Sequence, residues 1–282
     1  MIKDALGDRM KSYYEETTKT KLIRRMPVII RLDGCHFHTF TRGFRKPFDE
    51  LLIKTMQATM KYLCENIQGV VLGYTQSDEI TLVLQDYAKL ETSAWYDYEV
   101  LKMTSVSAAL ATYAFNKYFN EFYLEQLAEK GEEDEYDLVY DRARRQGAYF
   151  DSRVFNIPKE EVTNCVYWRQ KDAERNSVNS LAQSLFSHKS LQGLNLKETM
   201  TKIEQEKGII WGELPTTYKR GSCCIKVYNK IVGGSYNTKE GYKDFTLPET
   251  DAVRGEWQID NNIPQFKDEG RNYIEKLIWI GE

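Results

Sequence analysis

The chain has 282 residues, of which 41% are hydrophobic and 29% charged, and its formal net charge is −3 at pH 7. This composition excludes an intrinsically disordered protein and is ordinary for a globular one that can bury a large core. No stretch approaches the roughly 20 apolar residues that span a bilayer, and the N-terminus lacks the layout of a signal peptide, so we expect a cytoplasmic protein without a membrane partner.

The first third of the chain predicts a strand, a helix and a hairpin. An apolar run at residues 28–32 ends at Asp33 and a glycine, which is typical of a buried strand stopped by a turn. Apolar residues then recur at helical spacing and predict an amphipathic helix over residues 48–66. Apolar runs at residues 70–74 and 80–84 flank a short polar segment and predict a β-hairpin.

The rest of the chain adds helices and further strands. A second long helix is predicted over residues 95–122, and the acidic stretch around Gly131 is predicted to be a loop. Residues 148–157 are predicted to be extended, and Pro158 marks the start of another helix. Two more predicted elements are a helix at residues 196–207 closed by Gly208 and a strand at residues 222–228.

This order of elements predicts an α+β fold with an antiparallel sheet and helices packed on one face. It is the layout of a polymerase-like palm, and the pattern alone does not separate a palm from other ferredoxin-like domains. We predict a palm-type domain with helical, RNA-binding additions over residues 1–230 and a C-terminal extension of unknown role over residues 231–282.

The cysteines and histidines give no sign of a metal or disulfide framework. The five cysteines include no CxxC pair, and the chain has only three histidines. Cys35, His36 and His38 are close in sequence, but a zinc site would need further ligands from elsewhere. We therefore expect reduced thiols. The net negative charge is unusual for a nucleic-acid binder, although local lysine and arginine clusters permit an RNA-binding face.

Acidic residues at two predicted turns are the strongest sign of chemistry. Asp33 ends the first strand, and Asp78 and Glu79 lie in the hairpin. If the hairpin pairs beside the first strand, these carboxylates meet at one edge of the sheet, where oxygen ligands suit Mg²⁺. Gly34 lets the backbone approach a metal or phosphate closely. The alternative is that both segments are ordinary turns, in which Asp and Gly are common.

Five ordered motifs, spread over roughly residues 20–228, resemble those of the tRNA-His guanylyltransferase family and its Thg1-like branch. They are Arg-Leu-Asp-Gly at residues 31–34 with Phe37, His38 and Lys46-Pro47; Gly-Tyr-Thr-Gln-Ser-Asp-Glu at 73–79; Phe-Asp-Ser-Arg at 150–153; Trp-Arg-Gln at 168–170; and Leu214-Pro215 with Tyr-Lys-Arg-Gly at 218–221.

The resemblance implies a palm that works in the 3′-5′ direction, with two Mg²⁺ ions held by Asp33, Asp78 and the Gly34 carbonyl. Asp33, Asp78 and Glu79 would be catalytic. The residues implied to bind nucleotide are Cys35, His36, Phe37, His38, Lys46, Ser77 and Lys102. Those assigned to RNA are Arg153, Arg169, Asn176, Lys219 and Arg220. The alternatives are core positions for Phe37 and His38, a surface role for Lys46, and surface ion pairs for the four RNA-assigned cations.

The resemblance also implies an activity, with ATP and GTP as substrates, tRNA as partner and a homotetramer as the assembly. A family motif that accompanies the eukaryotic reaction on tRNA-His is altered at residues 174–180, where Glu174 replaces its histidine. The chain therefore resembles the branch that adds templated nucleotides to the 5′ ends of tRNAs, for 5′-end repair or guanylylation. The alternative is a palm-fold nucleotide cyclase or dinucleotide synthase that acts without RNA.

Overall fold

The computed structural model of the chain describes residues 4–130, 135–230, 234–238, 241–245 and 253–279. Within these ranges the strands are β1 (Val28–Gly34), β2 (Val70–Gln76), β3 (Glu79–Leu84), β4 (Phe150–Asn156), β5 (Ser222–Lys230), β6 (Gly234–Thr238), β7 (Gly241–Phe245) and β8 (Val253–Asp260). The helices in the same ranges are α1 (Ala5–Met10), α2 (Phe37–Phe40), α3 (Glu50–Asn66), α4 (Val100–Lys130), α5 (Asp137–Gln146), α6 (Lys159–Leu185), α7 (His188–Leu191), α8 (Leu196–Lys207), α9 (Thr216–Arg220) and α10 (Asn272–Ile278). The predicted loop around Gly131 lies outside the described residues.

Six strands form one sheet in the order β4-β1-β3-β2-β5-β8, and every neighbouring pair is antiparallel. β6 and β7 pair separately. The predicted α+β fold with an antiparallel sheet is therefore confirmed. Because β1 pairs with β3, the end of β1 lies beside the turn that joins β2 to β3.

Helices α3 and α4 cover one face of the sheet, which we call the first face. The segment after β1 is held there by aromatic contacts, with the Phe37 ring centroid 5.3 Å from that of Phe115 and the Phe40 centroid 5.4 Å from that of Phe119. All four rings are buried in the same core. The end of β1 is thus fixed against α4 by apolar packing.

Helix α3 begins at Glu50, close to the predicted start. The Asp49 carboxylate caps it by accepting a hydrogen bond from the Leu52 N–H at 2.9 Å. The other Asp49 oxygen accepts a hydrogen bond from the buried Tyr140 hydroxyl at 2.7 Å. One carboxylate therefore joins the start of α3 to α5.

Helix α4 begins later than predicted and extends further. Tyr96, Asp97 and Tyr98 have φ angles of +49°, +51° and +56°, a left-handed conformation that interrupts an α-helix. The regular helix therefore starts at Val100 and continues to Lys130. Apolar spacing could not reveal this break, because the three residues are compatible with helical periodicity.

Helices α6 and α10 cover the opposite face, which we call the second face. Its core joins Ile29 and Val83 from the sheet to Val166, Phe266 and Ile274, all of them buried. The prediction placed helices on one face. The second helical layer follows from the strands themselves, since apolar residues of β1, β2 and β3 are buried on both sides of the sheet.

Part of the predicted C-terminal extension joins the sheet. β8 pairs with β5 from Cys223–Asp260 to Lys230–Val253, and the Phe266 ring lies against Tyr74 with centroids 6.0 Å apart. A domain boundary at residue 230 and the role of the extension stay predictions.

Helix α8 is closed by Gly208, as predicted, and the φ angle of Gly208 is +66°. No helix in the described ranges is long and apolar enough to cross a membrane.

Candidate active site

Asp33, Asp78 and Glu79 lie together at one end of the sheet. Asp33 in β1 is directly opposite Glu79, the first residue of β3. The Gly34 N–H donates a hydrogen bond to the Asp78 carbonyl oxygen at 3.1 Å, which ties the β2–β3 turn to the end of β1. Ser77 in that turn has φ of +50°. The structure thus brings the acidic residues of two separate segments side by side.

The Asp78 carboxyl is in an environment that disfavours its ionised form. Burial raises the pKa of Asp78, and the negative charges of Asp33 and Glu79 raise it further. The Ser77 hydroxyl donates a hydrogen bond to Oδ1 of Asp78 at 2.9 Å and acts in the opposite direction. A carboxylate that is buried beside like charges is costly to ionise without a cation. This end of the sheet is therefore suited to a positively charged ligand.

Glu79 differs from its neighbours because cations of the protein already surround it. Its Oε2 accepts hydrogen bonds from Nε of Arg169 at 3.1 Å and from Nε2 of Gln76 at 2.6 Å, and Nη2 of Arg169 also binds this oxygen. Nε of Arg31 lies 3.4 Å from Oε1. Asp172 completes the network by accepting from Arg169 at 2.9 Å. Glu79 is thus held in place, in keeping with a supporting role beside the two aspartates.

Asp33 and Asp78 fit the Mg²⁺ that the resemblance implies. Within the described part of the chain, no three His, Cys, Asp or Glu side chains are grouped as a metal site. Arg169 engages Glu79, which leaves Asp33 and Asp78 as the carboxylates that the resemblance assigns to the metal. Mg²⁺ usually takes only one or two carboxylates and completes its shell with waters and substrate phosphates. The raised pKa of Asp78, caused by its burial beside Asp33 and Glu79, also fits a cation at this place.

Gly34 and Phe37 form a close contact beside the acidic residues. A Cβ atom on Gly34 would lie 2.2 Å from Cδ2 of Phe37, so this position has no room for a side chain. Phe37 itself is only 4% exposed. Its side chain belongs to the core of the first face, which agrees with the alternative of a core position and leaves only the Phe37 backbone for the assignment as a nucleotide ligand.

The other nucleotide residues after β1 occupy different environments. The Cys35 N–H donates a hydrogen bond to the Tyr149 carbonyl at 2.9 Å, and burial together with the charge of Asp151 raises the pKa of the Cys35 thiol. His36 and His38 are exposed, with ring centroids 6.3 Å apart. Lys46 and Ser77 are exposed as well. These exposed side chains remain accessible to a ligand near the acidic end of β1.

Lys102 lies far from Asp33, Asp78 and Glu79 in the folded protein. At residue 112 of α4, the threonine hydroxyl accepts a hydrogen bond from the Phe150 N–H at 3.2 Å, and Phe150 pairs with Gly34. Lys102 lies ten residues earlier, which is about 15 Å along the helix. Its Nζ lies 4.8 Å from the Tyr96 ring centroid. The structure therefore does not bring Lys102 together with the acidic residues.

Three of the cations assigned to RNA already have partners within the protein. Arg169 is 7% exposed and bound to Glu79, and Lys219 is 8% exposed with its ammonium donating to the Gly212 carbonyl. Burial lowers the pKa of Lys219. Nε of Arg220 donates to Oε1 of Glu174 at 2.7 Å. Burial and pairing do not fit these three as surface ligands of tRNA phosphates, so the alternative of ion pairing describes the two arginines better.

Arg153 and Asn176 are the RNA-assigned residues that face open space. Arg153 is half exposed, and its Nη1 lies 3.6 Å from Oδ2 of Asp33. Asn176 lines a cavity of about 150 Å³ between α6 and the start of α3. Ser77, Phe48 and Tyr218 line the same cavity, with the last two rings stacked at 4.4 Å. Through Ser77, the β2–β3 turn therefore borders this cavity.

A family model described as tRNAHis guanylyltransferase, Thg1, matches residues 7–158. A bacterial tRNA(His) guanylyltransferase (Thg1)-like protein, solved in complex with ATP, is 36% identical, with 98% of this chain and 100% of that chain covered and a TM-score of 0.77. The chain belongs to the Thg1 family. A second structure described in the same words, but in complex with GTP, matches with a TM-score of 0.72, the same identity and the same coverage.

Two further relatives differ in how much of their length this chain spans. An uncharacterised protein of Acanthamoeba polyphaga mimivirus is 29% identical over 269 residues, which is 88% of this chain and 89% of the viral protein. The tRNA(His) guanylyltransferase 2 of Arabidopsis thaliana is 25% identical over 232 residues, covering 78% of this chain but only 39% of the plant protein.

Asp151 belongs to the Phe-Asp-Ser-Arg motif, from which only Arg153 was predicted to be a site residue. Asp151 lies directly opposite Asp33 across β4 and β1, so Glu79, Asp33 and Asp151 form a row of carboxylates over three strands. Arg153 bridges two of them, with Nη2 3.3 Å from Oδ1 of Asp151. The place of Asp151 beside Asp33 follows from the pairing of β4 with β1, which no local pattern around residue 151 indicates.

Proposed function

We propose that this chain is a template-dependent 3′-5′ nucleotidyltransferase that adds nucleotides to the 5′ end of tRNA. The observation that supports this most directly is the juxtaposition of Asp33 and Asp78, with Gly34 between them, in a member of the Thg1 family. ATP and GTP are the proposed substrates, which agrees with the two nucleotide complexes of the bacterial relative.

Asp33, Asp78 and the Gly34 carbonyl would hold two Mg²⁺ ions. When bound, Mg²⁺ supplies charge stabilisation to the attacking and leaving oxygens of a phosphoryl transfer. Arg169 and Arg31 fix Glu79 beside Asp33, so the carboxylates are preorganised. The chain contributes position and electrostatics rather than a covalent intermediate.

The proposed reaction has two stages. A nucleoside triphosphate first activates the 5′-monophosphate of the tRNA, and pyrophosphate leaves. The 3′-hydroxyl of an incoming nucleoside triphosphate then attacks the activated 5′ phosphate, forms the new phosphodiester and displaces the activating nucleotide. A tRNA that already has a 5′-triphosphate needs no activation.

The altered segment around Glu174 supports a role in templated 5′-end repair rather than strict guanylylation of tRNA-His. Glu174 accepts hydrogen bonds from Nε of Arg220 and Nε2 of Gln265, both at 2.7 Å. A carboxylate in this arrangement holds α6, α9 and the chain after β8 together, which is a structural role within the protein. A homotetramer and a cytoplasmic location remain predictions, and light scattering of the purified protein tests the first.

The test is addition of labelled GTP and ATP to tRNAs that lack their first nucleotide, with the opposing acceptor-stem base varied. We expect incorporation that follows the template and is lost when Mg²⁺ is chelated. Asp33→Ala and Asp78→Ala should abolish addition while the proteins stay folded, and Glu65→Gln, an exposed carboxylate on α3, is the matched control. Activity retained by both aspartate variants would refute the site. Cyclic or dinucleotide products formed without RNA would favour the cyclase alternative.

A further inference from the structure

An exposed aromatic and basic surface begins beside the acidic residues and follows β4 on the second face of the sheet. We call it the β4 shelf and define it by Arg31, Arg153, Phe155 and Trp168. Trp168 is 54% exposed and Phe155 is 37% exposed, while Arg153 is half exposed. Arg31 and Arg153 also pair with the acidic residues, whereas Trp168 and Phe155 were given no part in the acidic site described above.

Strand register puts the shelf residues on one face. Arg31 pairs with Arg153, and Ile29 pairs with Phe155. Residues two apart in a strand point to the same side, so Arg153 and Phe155 share the side of Ile29, which lies in the core under α6. Asp151 is on this side too, at the acidic end. The shelf therefore runs along the edge strand directly from the carboxylates.

Trp168 is held in position by cations rather than by burial. The guanidinium carbon of Arg169 lies 4.4 Å from its ring centroid, and that of Arg31 lies 5.7 Å away. The Arg169 and Arg31 side chains are only 8% and 22% exposed, so both cations approach from the protein side. The indole thus keeps a large exposed surface at a defined place.

Exposed aromatic rings next to arginines are the elements of single-stranded nucleic acid binding, because every base can stack on an aromatic face and cations contact the backbone. Asp33 pairs with Asp151, so its side chain lies on the same face as the shelf, and Phe155 lies four residues further along β4 from this acidic end. The shelf therefore leads away from the carboxylates along β4, where a part of the substrate other than the reacting phosphate would lie.

We propose that the β4 shelf stacks unpaired nucleotides at the 3′ end of the tRNA acceptor, with Arg153 at a backbone phosphate. This inference rests on the proposed function, because it requires the tRNA 5′ end to be at Asp33 and Asp78. The four steps from Asp151 to Phe155 span about 13 Å at a strand rise of roughly 3.3 Å. That length matches about four stacked nucleotides at roughly 3.4 Å each.

The experiment compares tRNA with and without its unpaired 3′ nucleotides, bound to the wild-type protein and to Trp168→Ala. We expect Trp168→Ala to raise the Kd for intact tRNA about tenfold, the usual order for losing one base-stacking contact. Removal of the overhang should weaken wild-type binding by a similar factor and leave Trp168→Ala almost unchanged. Trp168→Phe, which keeps a stacking ring, should restore most of the affinity.

Trp279→Ala is the matched control, because this tryptophan after α10 is 53% exposed and its ring centroid lies 5.6 Å from Nζ of Lys159, beyond the end of β4 that is far from the carboxylates. It should bind both RNAs like the wild type. Equal weakening of Trp168→Ala on both RNAs, wild-type binding by Trp168→Ala, or a raised Kd for GTP would each overturn the inference. If Trp168→Ala does not fold, Phe155→Ala takes its place in the same comparison.

Failure of the shelf and failure of the proposed function give different results. A wild-type protein that extends truncated tRNA, but shows no coupling between Trp168 and the overhang, rejects the shelf alone. A wild-type protein that extends no tRNA rejects the proposed function and the inference that depends on it.

Discussion

Replacing Arg169 by methionine removes the guanidinium that binds Glu79 and keeps an unbranched side chain in a buried position. Removing one partner of a buried ion pair costs about 3–5 kcal/mol, because the remaining charge stays buried without compensation. Arg31 and Gln76 still contact Glu79 at 3.4 and 2.6 Å, so we expect the lower end of this range. About 3 kcal/mol corresponds to a fall in Tm of roughly 6–12 °C for a protein of this size class.

Arg175→Met is the matched control for this prediction. Arg175 lies on the same helix and binds Asp172, one of the partners of Arg169, but its side chain is 61% exposed. Surface ion pairs contribute about 0–1 kcal/mol, so its Tm should fall by only a few degrees. Glu79→Gln in the Arg169→Met background should recover part of the lost stability, since it removes the uncompensated charge.

The assay is thermal unfolding of the four proteins followed by circular dichroism, with nucleotide addition measured in parallel. Arg169→Met should also lose most of its activity, because Glu79 is no longer fixed beside Asp33. A Tm for Arg169→Met that equals that of Arg175→Met would contradict the conclusion that Arg169 organises the acidic site from within the core.

Three further predictions concern the same end of the sheet. Asp78→Asn should raise the Tm of the metal-free protein at neutral pH, because burial raises the pKa of Asp78 and its ionised form opposes folding; the gain should shrink as the pH falls through that raised pKa and disappear below the ordinary value of 3.8, where the carboxyl is protonated in the folded and the unfolded protein. Gly34→Ala should cost about 1–3 kcal/mol in urea unfolding and depress nucleotide addition, since its Cβ would overlap the Phe37 ring, and a variant as stable as the wild type would contradict this packing. Asp49→Ala should destabilise the protein by about 1–2 kcal/mol through loss of the α3 cap, whereas Tyr140→Phe, which loses only the hydroxyl contact, should cost less in the same unfolding assay.

The acidic end of the sheet could be predicted because its signals are local. An apolar run that ends in Asp33 and a hairpin that turns at Asp78 need only short segments of sequence to be recognised. Once the hairpin pairs with β1, strand geometry brings Asp33 opposite Glu79 without further information. The antiparallel sheet followed from the same short segments.

The partners of the cations could not be predicted in this way. An arginine in a helix is compatible with a solvent-exposed face or with a buried pair, and the contact that decides for Arg169 is with Glu79, 90 residues away. Arg220 is similar, since its partner Glu174 lies 46 residues away. Phe37 shows the same difficulty for an aromatic residue, because its motif position suggested a ligand whereas packing on α4 made it core.

The pairing of β8 with β5 has a practical consequence for anyone who prepares shortened forms of this protein. Trimming the chain after residue 230 would strip the hydrogen-bonding partner from β5 and uncover the apolar surface that Phe266, Ile274 and Ile278 shield. A bare strand edge of this kind recruits other polypeptides and promotes aggregation. Insolubility of such a fragment would then report a missing edge strand, even though every carboxylate needed for chemistry is still encoded.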